Sequence, residues 1–276
     1  MLHLSIPRDV TARGVRTRIL ESGSGPPVLL IHGFLGNHCT FDDISPELAK
    51  SFHLVAIDLP GSGGSERPPP SRFVYSAESF AEVATDVIAA LQVGRCHVIA
   101  HESGCAVAIA LASEHPEFVD HMVLISPSFL PSTPPPLVRW MRTPLAGGFL
   151  FKQLLGRSLF HSLYLKHMYA PGHTVPMERI NSFYDPLMEP AARESAFATL
   201  KAQLDTRPTI ARLTRIKAPT LVLAGRAVHR VSPELAPRLV RQLRNARLMY
   251  TDSGHCPHEE SPDAFVAATL SFLPHQ

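Results

Sequence analysis

The stretch Val98-Ile99-Ala100-His101-Glu102-Ser103-Gly104-Cys105-Ala106 constrains the fold more than any other. A β-branched and apolar run enters a polar triplet and leaves at once into an Ala-rich segment, which describes a buried strand, a sharp turn and a buried helix. Ala100 and Gly104 stand two positions either side of Glu102. A turn that folds a strand end back onto a helix start needs small flanks and thrusts its apex side chain above the sheet. If Ser103 were the apex, its flanks would be His101 and Cys105. Both registers place the candidate chemistry on this turn.

The rest of the chain supplies a sheet for it. Residues 3–21 suggest two strands joined at Arg13-Gly14. Val28-Leu29-Leu30-Ile31 and His53–Ile57 are strands covered on both faces. A helix with Ser76 as its cap carries Phe80, Val83, Ala84, Val87, Ile88 and Leu91 on one stripe. Strands at Cys96–Ala100, Met122–Ile125, residues 219–225 and Arg247–Tyr250 alternate with helices, the last opening at Ser261-Pro262. Such alternation implies a parallel sheet with right-handed crossovers, an α/β fold. Residues 131–136, Pro-Ser-Thr-Pro-Pro-Pro, interrupt the pattern as a stiff linker, and residues 137–215 show helices but no strand. The expected division is a core of residues 1–128 and 216–276 with a helical cap over 129–215.

A net charge of +2 gives no reason to expect nucleic acid or an anionic surface. No apolar run reaches the length of a membrane span. Cys39, Cys96, Cys105 and Cys256 have no paired spacing, and the N-terminal residues lack a basic-then-apolar signal region, so free thiols and a cytoplasmic setting are expected. No motif calls for a cofactor or a metal.

Five segments in order, His32-Gly33-Phe34-Leu35-Gly36, Asp58 to Ser65, the turn at Glu102, Pro219 to Gly225 and Gly254-His255, make the chain resemble the α/β-hydrolase superfamily along nearly its whole length. His32 to Gly36 is most similar to the esterase and carbon–carbon-bond hydrolase branch. The resemblance implies an α/β-hydrolase fold with an inserted cap, a nucleophile elbow at Glu102, His255 as catalytic base, and backbone N–H groups of Phe34 and Ser103 as the oxyanion hole. His32, Gly33 and His101 are further candidates around the site, and Tyr164 and Tyr184 of the cap could protonate an opened epoxide. The elbow normally carries serine. Relatives often keep the orienting acid three residues after Gly225, where this chain has Val228, or at Ser126-Pro127-Ser128, again without a carboxylate.

One carboxylate is therefore missing and another gained, which suggests that Glu102 itself pairs with His255. The expected function is an enzyme acting on a small apolar carbonyl, ester or epoxide substrate, with Glu102 and His255 as nucleophile or acid–base pair. Three alternatives remain open: an ordinary esterase using Ser103, a lyase or cyclase, and a non-catalytic protein that binds a ligand or a partner. Arg226 and His229 are read as a solvated loop, and Asp58 as a backbone-bonding residue of the Gly-Ser loop.

Overall fold

A computed structural model describes residues 6–129, 148, 151, 156–227 and 234–274. Eight strands form one sheet: β1 (Ile6–Ala12), β2 (Val15–Ser22), β3 (Pro27–Ile31), β4 (His53–Ile57), β5 (Cys96–His101), β6 (Val119–Ile125), β7 (Thr220–Gly225) and β8 (Ala246–Thr251), in the order β1-β2-β4-β3-β5-β6-β7-β8. β1 and β2 make an antiparallel hairpin through Arg13 and Gly14, both at positive φ, and β2 runs antiparallel to β4. The remaining pairs are parallel. β5 is central, with Leu29 opposite Val98 on one side and Ile99 opposite Val123 on the other.

Helices cover both faces. The short α1 (Ser45–Leu48), the long α2 (Ala77–Leu91) and α3 (Gly104–Glu114) follow the first strands. Ser76 accepts a hydrogen bond from the Ser79 N–H at 3.3 Å and so caps α2. α3 has no polar face: every residue from Gly104 to Ala112 is buried. Val107, Ile109 and Leu111 each contribute about 1.5–3 kcal/mol by that burial. α2 and α3 close a core with Val98, Ala100, Met122 and Val222. The opposite face packs Ile99, Val123 and Leu223 with Phe41, Phe52 and Phe265.

Between β6 and β7 lie α4 (Arg157–Met168), α5 (Met177–Tyr184), α6 (Pro190–Gln203) and α7 (Arg207–Arg212), and no strand among the described residues. They have a cluster of their own, Phe160, Ile180, Phe183, Tyr184 and Leu187, against which Phe34 and Leu35 of the core are packed. The linker at 131–136 lies outside the described residues, as does Ser232, the expected cap of α8 (Leu235–Gln242). Two elements differ from expectation. β6 begins at Val119 and not at Met122, and a further short helix, α9 (Pro257–Glu260), precedes α10 (Pro262–Phe272). Pro257, two residues after His255, starts that turn, since proline is favoured at a first helical position.

Candidate active site

Glu102 is the apex of the turn. Its φ is +53°, while Ser103 already has helical angles, φ −71° and ψ −22°, as the residue preceding α3. The small flanks are required by contact. A Cβ on Gly104 would stand 2.5 Å from the His32 carbonyl oxygen and 2.7 Å from that of Ile31. A Cβ on Gly33 would stand 2.7 Å from the Glu102 Cβ and 3.0 Å from its Oε2. The loop after β3 and the turn after β5 are thus pressed together across two glycines.

This contact brings the backbone donors named from the sequence to a single point. The Phe34 N–H donates to Glu102 Oε2 at 2.8 Å, and the Ser103 N–H donates to the same oxygen at 2.5 Å. The Ser128 hydroxyl donates to Oε1 at 2.6 Å. The segment Ser126-Pro127-Ser128 offers no carboxylate of its own; its Ser128 serves the carboxylate that the apex supplies. Burial alone would raise the Glu102 pKa. The three hydrogen bonds outweigh burial and hold the carboxyl below its ordinary value. Glu102 is ionised at neutral pH.

His255 is 6% exposed and lies in the loop between β8 and α9. Burial lowers its pKa, partly offset by the charges of Glu102 and Glu260, so the ring is neutral at neutral pH. Glu102 and His255 form neither a hydrogen bond nor an ion pair within 4.0 Å. The direct pair anticipated from the sequence is replaced by a longer electrostatic contact. The His255 loop is held from behind. Its N–H donates to the Met168 carbonyl at 2.9 Å, and Glu260 accepts from the Gly254 and Ala170 N–H groups at 2.8 Å each.

The other candidates divide into supports and bystanders. His101 is buried and donates from Nε2 to the His255 carbonyl at 3.2 Å, with its ring 5.6 Å from that of His255. Burial, then the neighbouring His255, press its pKa down to about 3, so it is a neutral strut behind His255. His32 accepts at Nε2 from the Leu59 N–H, 3.1 Å, which leaves Nδ1 to donate to the Gly33 carbonyl, 2.8 Å. It ties the loop after β3 to the loop after β4. Asp58 accepts from the Gly64 and His38 N–H groups and from His38 Nδ1, at 2.8–2.9 Å, and so bonds loop backbone as expected. Tyr184 is buried in the helical cluster, 5.2 Å from the Phe160 ring. Tyr164 falls in α4. Val228 and His229 lie outside the described residues.

A cleft of about 720 Å³, including its solvent-facing mouth, opens beside the turn. Phe34, Leu59, Val107, Phe183 and Leu187 give it apolar walls, and Gly33, Ser103 and Gly104 bring it to the Phe34 and Ser103 N–H groups. Among the described residues, no helix is long and apolar enough to cross a membrane.

The model of the alpha/beta hydrolase fold family matches residues 26–262. An uncharacterised protein of Mycobacterium tuberculosis is 25% identical over 95% of this chain and 80% of its own length. A 2-hydroxy-6-oxo-6-(2'-aminophenyl)hexa-2,4-dienoic acid hydrolase of Metapseudomonas resinovorans is 26% identical over 97% of this chain and 91% of its own. The crystal structure of a serine hydrolase involved in carbazole degradation superposes with a TM-score of 0.80 at 25% identity, covering 97% of this chain and 98% of that one. With the sheet order, the glycine-flanked apex and the match over residues 26–262, the chain belongs to the α/β-hydrolase fold family.

Proposed function

We propose that this protein is a hydrolase in which the Glu102 carboxylate is the covalent nucleophile toward a small apolar electrophile, an epoxide being the representative class. The observation that carries this is the asymmetry of the carboxylate: Oε2 takes both backbone N–H groups, and Oε1 only the Ser128 hydroxyl. A substrate carbonyl would have to evict Oε2 to use those donors. Attack by Oε1 on an sp³ carbon needs no eviction. Oε1 forms the new C–O bond, the ring C–O bond opens, and the alkoxide takes a proton from water in the cleft. The ester carbonyl oxygen is then the former Oε2, already in place to be stabilised when charge develops on it. Neutral His255 removes a proton from a water and the hydroxide adds to the ester carbonyl. On collapse the protonated His255 gives its proton to the leaving alkoxide, which releases the diol, and the Glu102 acid loses its proton to the hydroxide left from the first step, which restores the carboxylate. The absence of a direct hydrogen bond between the two side chains is compatible with a water held between them. Two of the relatives named above, the dienoic acid hydrolase and the serine hydrolase of carbazole degradation, are hydrolases, which supports the reaction class.

A second reading is favoured by the same hydrogen bonds. A carboxylate that fills its own oxyanion hole also describes a site that binds an apolar ligand without turning it over. Mass spectrometry of acid-quenched protein separates the two. With short aryl epoxides, His255→Gln should accumulate an ester on the peptide containing Glu102, and Glu102→Gln should show none. Turnover in ¹⁸O-labelled water should place the label in the Glu102 carboxylate. Near-normal turnover by Glu102→Gln, with loss confined to Ser103→Ala, would overturn the nucleophile assignment. Binding without adduct or turnover across epoxides and esters would establish the second reading.

A further inference from the structure

The opposite end of the sheet holds another cluster of chemistry-bearing side chains. His97 is the second residue of β5, and Asp120 and His121 follow the first residue of β6. They sit at the N-terminal edge of these parallel strands, whereas Glu102 follows the C-terminal end of β5. The register breaks here: Cys96 pairs with Val119, but Val98 pairs with Met122, so β6 spends one residue more than β5 across this step. The bulge sets Asp120 and His121 together against His97. A regular strand would send two successive side chains to opposite faces.

The ring nitrogens of His97 are assigned by its partners. Nε2 lies 3.0 Å from the Pro274 carbonyl, which only accepts, so Nε2 carries the proton and Nδ1 presents a lone pair. That Nδ1 is buried, has no hydrogen bond, and lies 3.4 Å from Asp120 Oδ2. The residue is 4% exposed. A cation between this nitrogen and the carboxylate oxygen would give both a partner. His121 Nδ1 approaches the same Oδ2 at 2.9 Å, and Arg95 holds the other oxygen of Asp120 at 3.2 Å. The three donor atoms lie within 4.8 Å of one another. Ligands about 2.0–2.2 Å from a tetrahedral zinc-class ion stand roughly 3.3 Å apart, and the 2.9 and 3.4 Å separations bracket that value.

We propose that His97 Nδ1, Asp120 Oδ2 and His121 Nδ1 form a binding site for one zinc-class divalent ion, remote from Glu102. The Pro274 carbonyl orients the His97 ligand, as outer hydrogen bonds do at metal-binding histidines. Ligation moves the His121 proton from Nδ1 to Nε2. The Asp120 and His121 side chains are partly exposed, so water completes the coordination. The ion would clip the β5–β6 bulge to the end of the chain after α10.

The test uses the untagged full chain, stripped with a chelator and titrated with zinc chloride against a chromogenic competitor. One zinc per chain is expected, with a rise in melting temperature. His121→Ala and Asp120→Asn, both at partly exposed positions, should each weaken binding at least tenfold while the far-ultraviolet dichroism stays unchanged. Cobalt substituted for zinc should give visible absorption bands of a tetrahedral site, lost in the same variants. His258→Asn, whose ring lies 4.5 Å from that of His101 on the Glu102 side of the sheet, should leave the stoichiometry at one. Unchanged affinity in His121→Ala, or loss of the bound ion only in His258→Asn, would overturn the assignment, as would the absence of stoichiometric binding to the parent chain.

Discussion

A glutamate at φ +53° costs roughly 1–2 kcal/mol relative to an ordinary conformation. The turn accepts that cost because it brings the carboxylate onto two N–H groups, each bond to a charged acceptor contributing about 1.5–3 kcal/mol. Gly33 decides whether this arrangement can exist, since any side chain there intrudes on the Glu102 Cβ and Oε2. Gly33→Ala is therefore expected to push the carboxylate off its donors and lower kcat about 100-fold, the usual cost of losing an oxyanion donor. Steady-state turnover together with the yield of quenched adduct checks it, and an unchanged kcat would show that the hydrogen bonds are incidental. The apex register was legible because Ala100 and Gly104 have no bulk while His101 and Cys105 do. The filling of the oxyanion hole was not, because it depends on how far one extra methylene carries a carboxylate from a left-handed residue. Ser128 was hidden for a related reason: a hydroxyl that serves a distant acid has no local spacing.

At the level of elements, strands buried on both faces announced themselves as unbroken apolar runs, and β4 and β7 fall where those runs do. β6 was read short because its first turnings into the sheet are Asp120 and His121, polar residues on a bulge that no hydrophobic pattern marks. The helices after β6 were legible as helices, but not in their attachments. Arg179 of α5 donates to the Cys39 carbonyl at 2.5 Å and to Asp43 at 2.9 Å, and faces Glu259 at 3.8 Å. The Tyr169 hydroxyl, after α4, donates to Glu259 at 2.7 Å. Two points of the helical segment are thus fastened to the core beside the His255 loop. Arg179→Leu leaves a buried acid without its cation, a change that costs about 3 kcal/mol. The expected outcome is faster cleavage within residues 156–215 by limited proteolysis, with the core fragment surviving longer. A digestion pattern identical to the parent's would show that Arg179 fastens nothing.

Over the whole molecule, the sign of proton binding is set by buried histidines. His32, His97, His101, His255 and His258 are all held below the ordinary imidazole value, burial being the largest cause in each. Each stays neutral in the folded chain and takes a proton once unfolded, so the unfolded state binds more protons below about pH 6.5 and stability is lost as pH falls through that value. Glu259, which burial pushes up to about 7, and Asp42, raised by burial, take protons in the folded state and offset part of this. His38 has the opposite sign. Burial would lower it, but the hydrogen bond and charge of Asp58 carry it to about 10. Its stabilisation is complete below pH 6.5 and is lost as pH rises toward 10. Stability should therefore peak near neutrality and fall on both sides, by roughly 1.4 kcal/mol per pH unit for each uncompensated proton. Urea unfolding at pH 5, 7 and 9 measures both limbs. His258→Phe, which replaces a buried ring lying between Phe41 and Phe265, should flatten the acid limb by about one proton. His38→Gln should flatten the alkaline limb alone. Equal stability of the parent chain at pH 7 and pH 5 would mean that the buried imidazoles accept protons without unfolding.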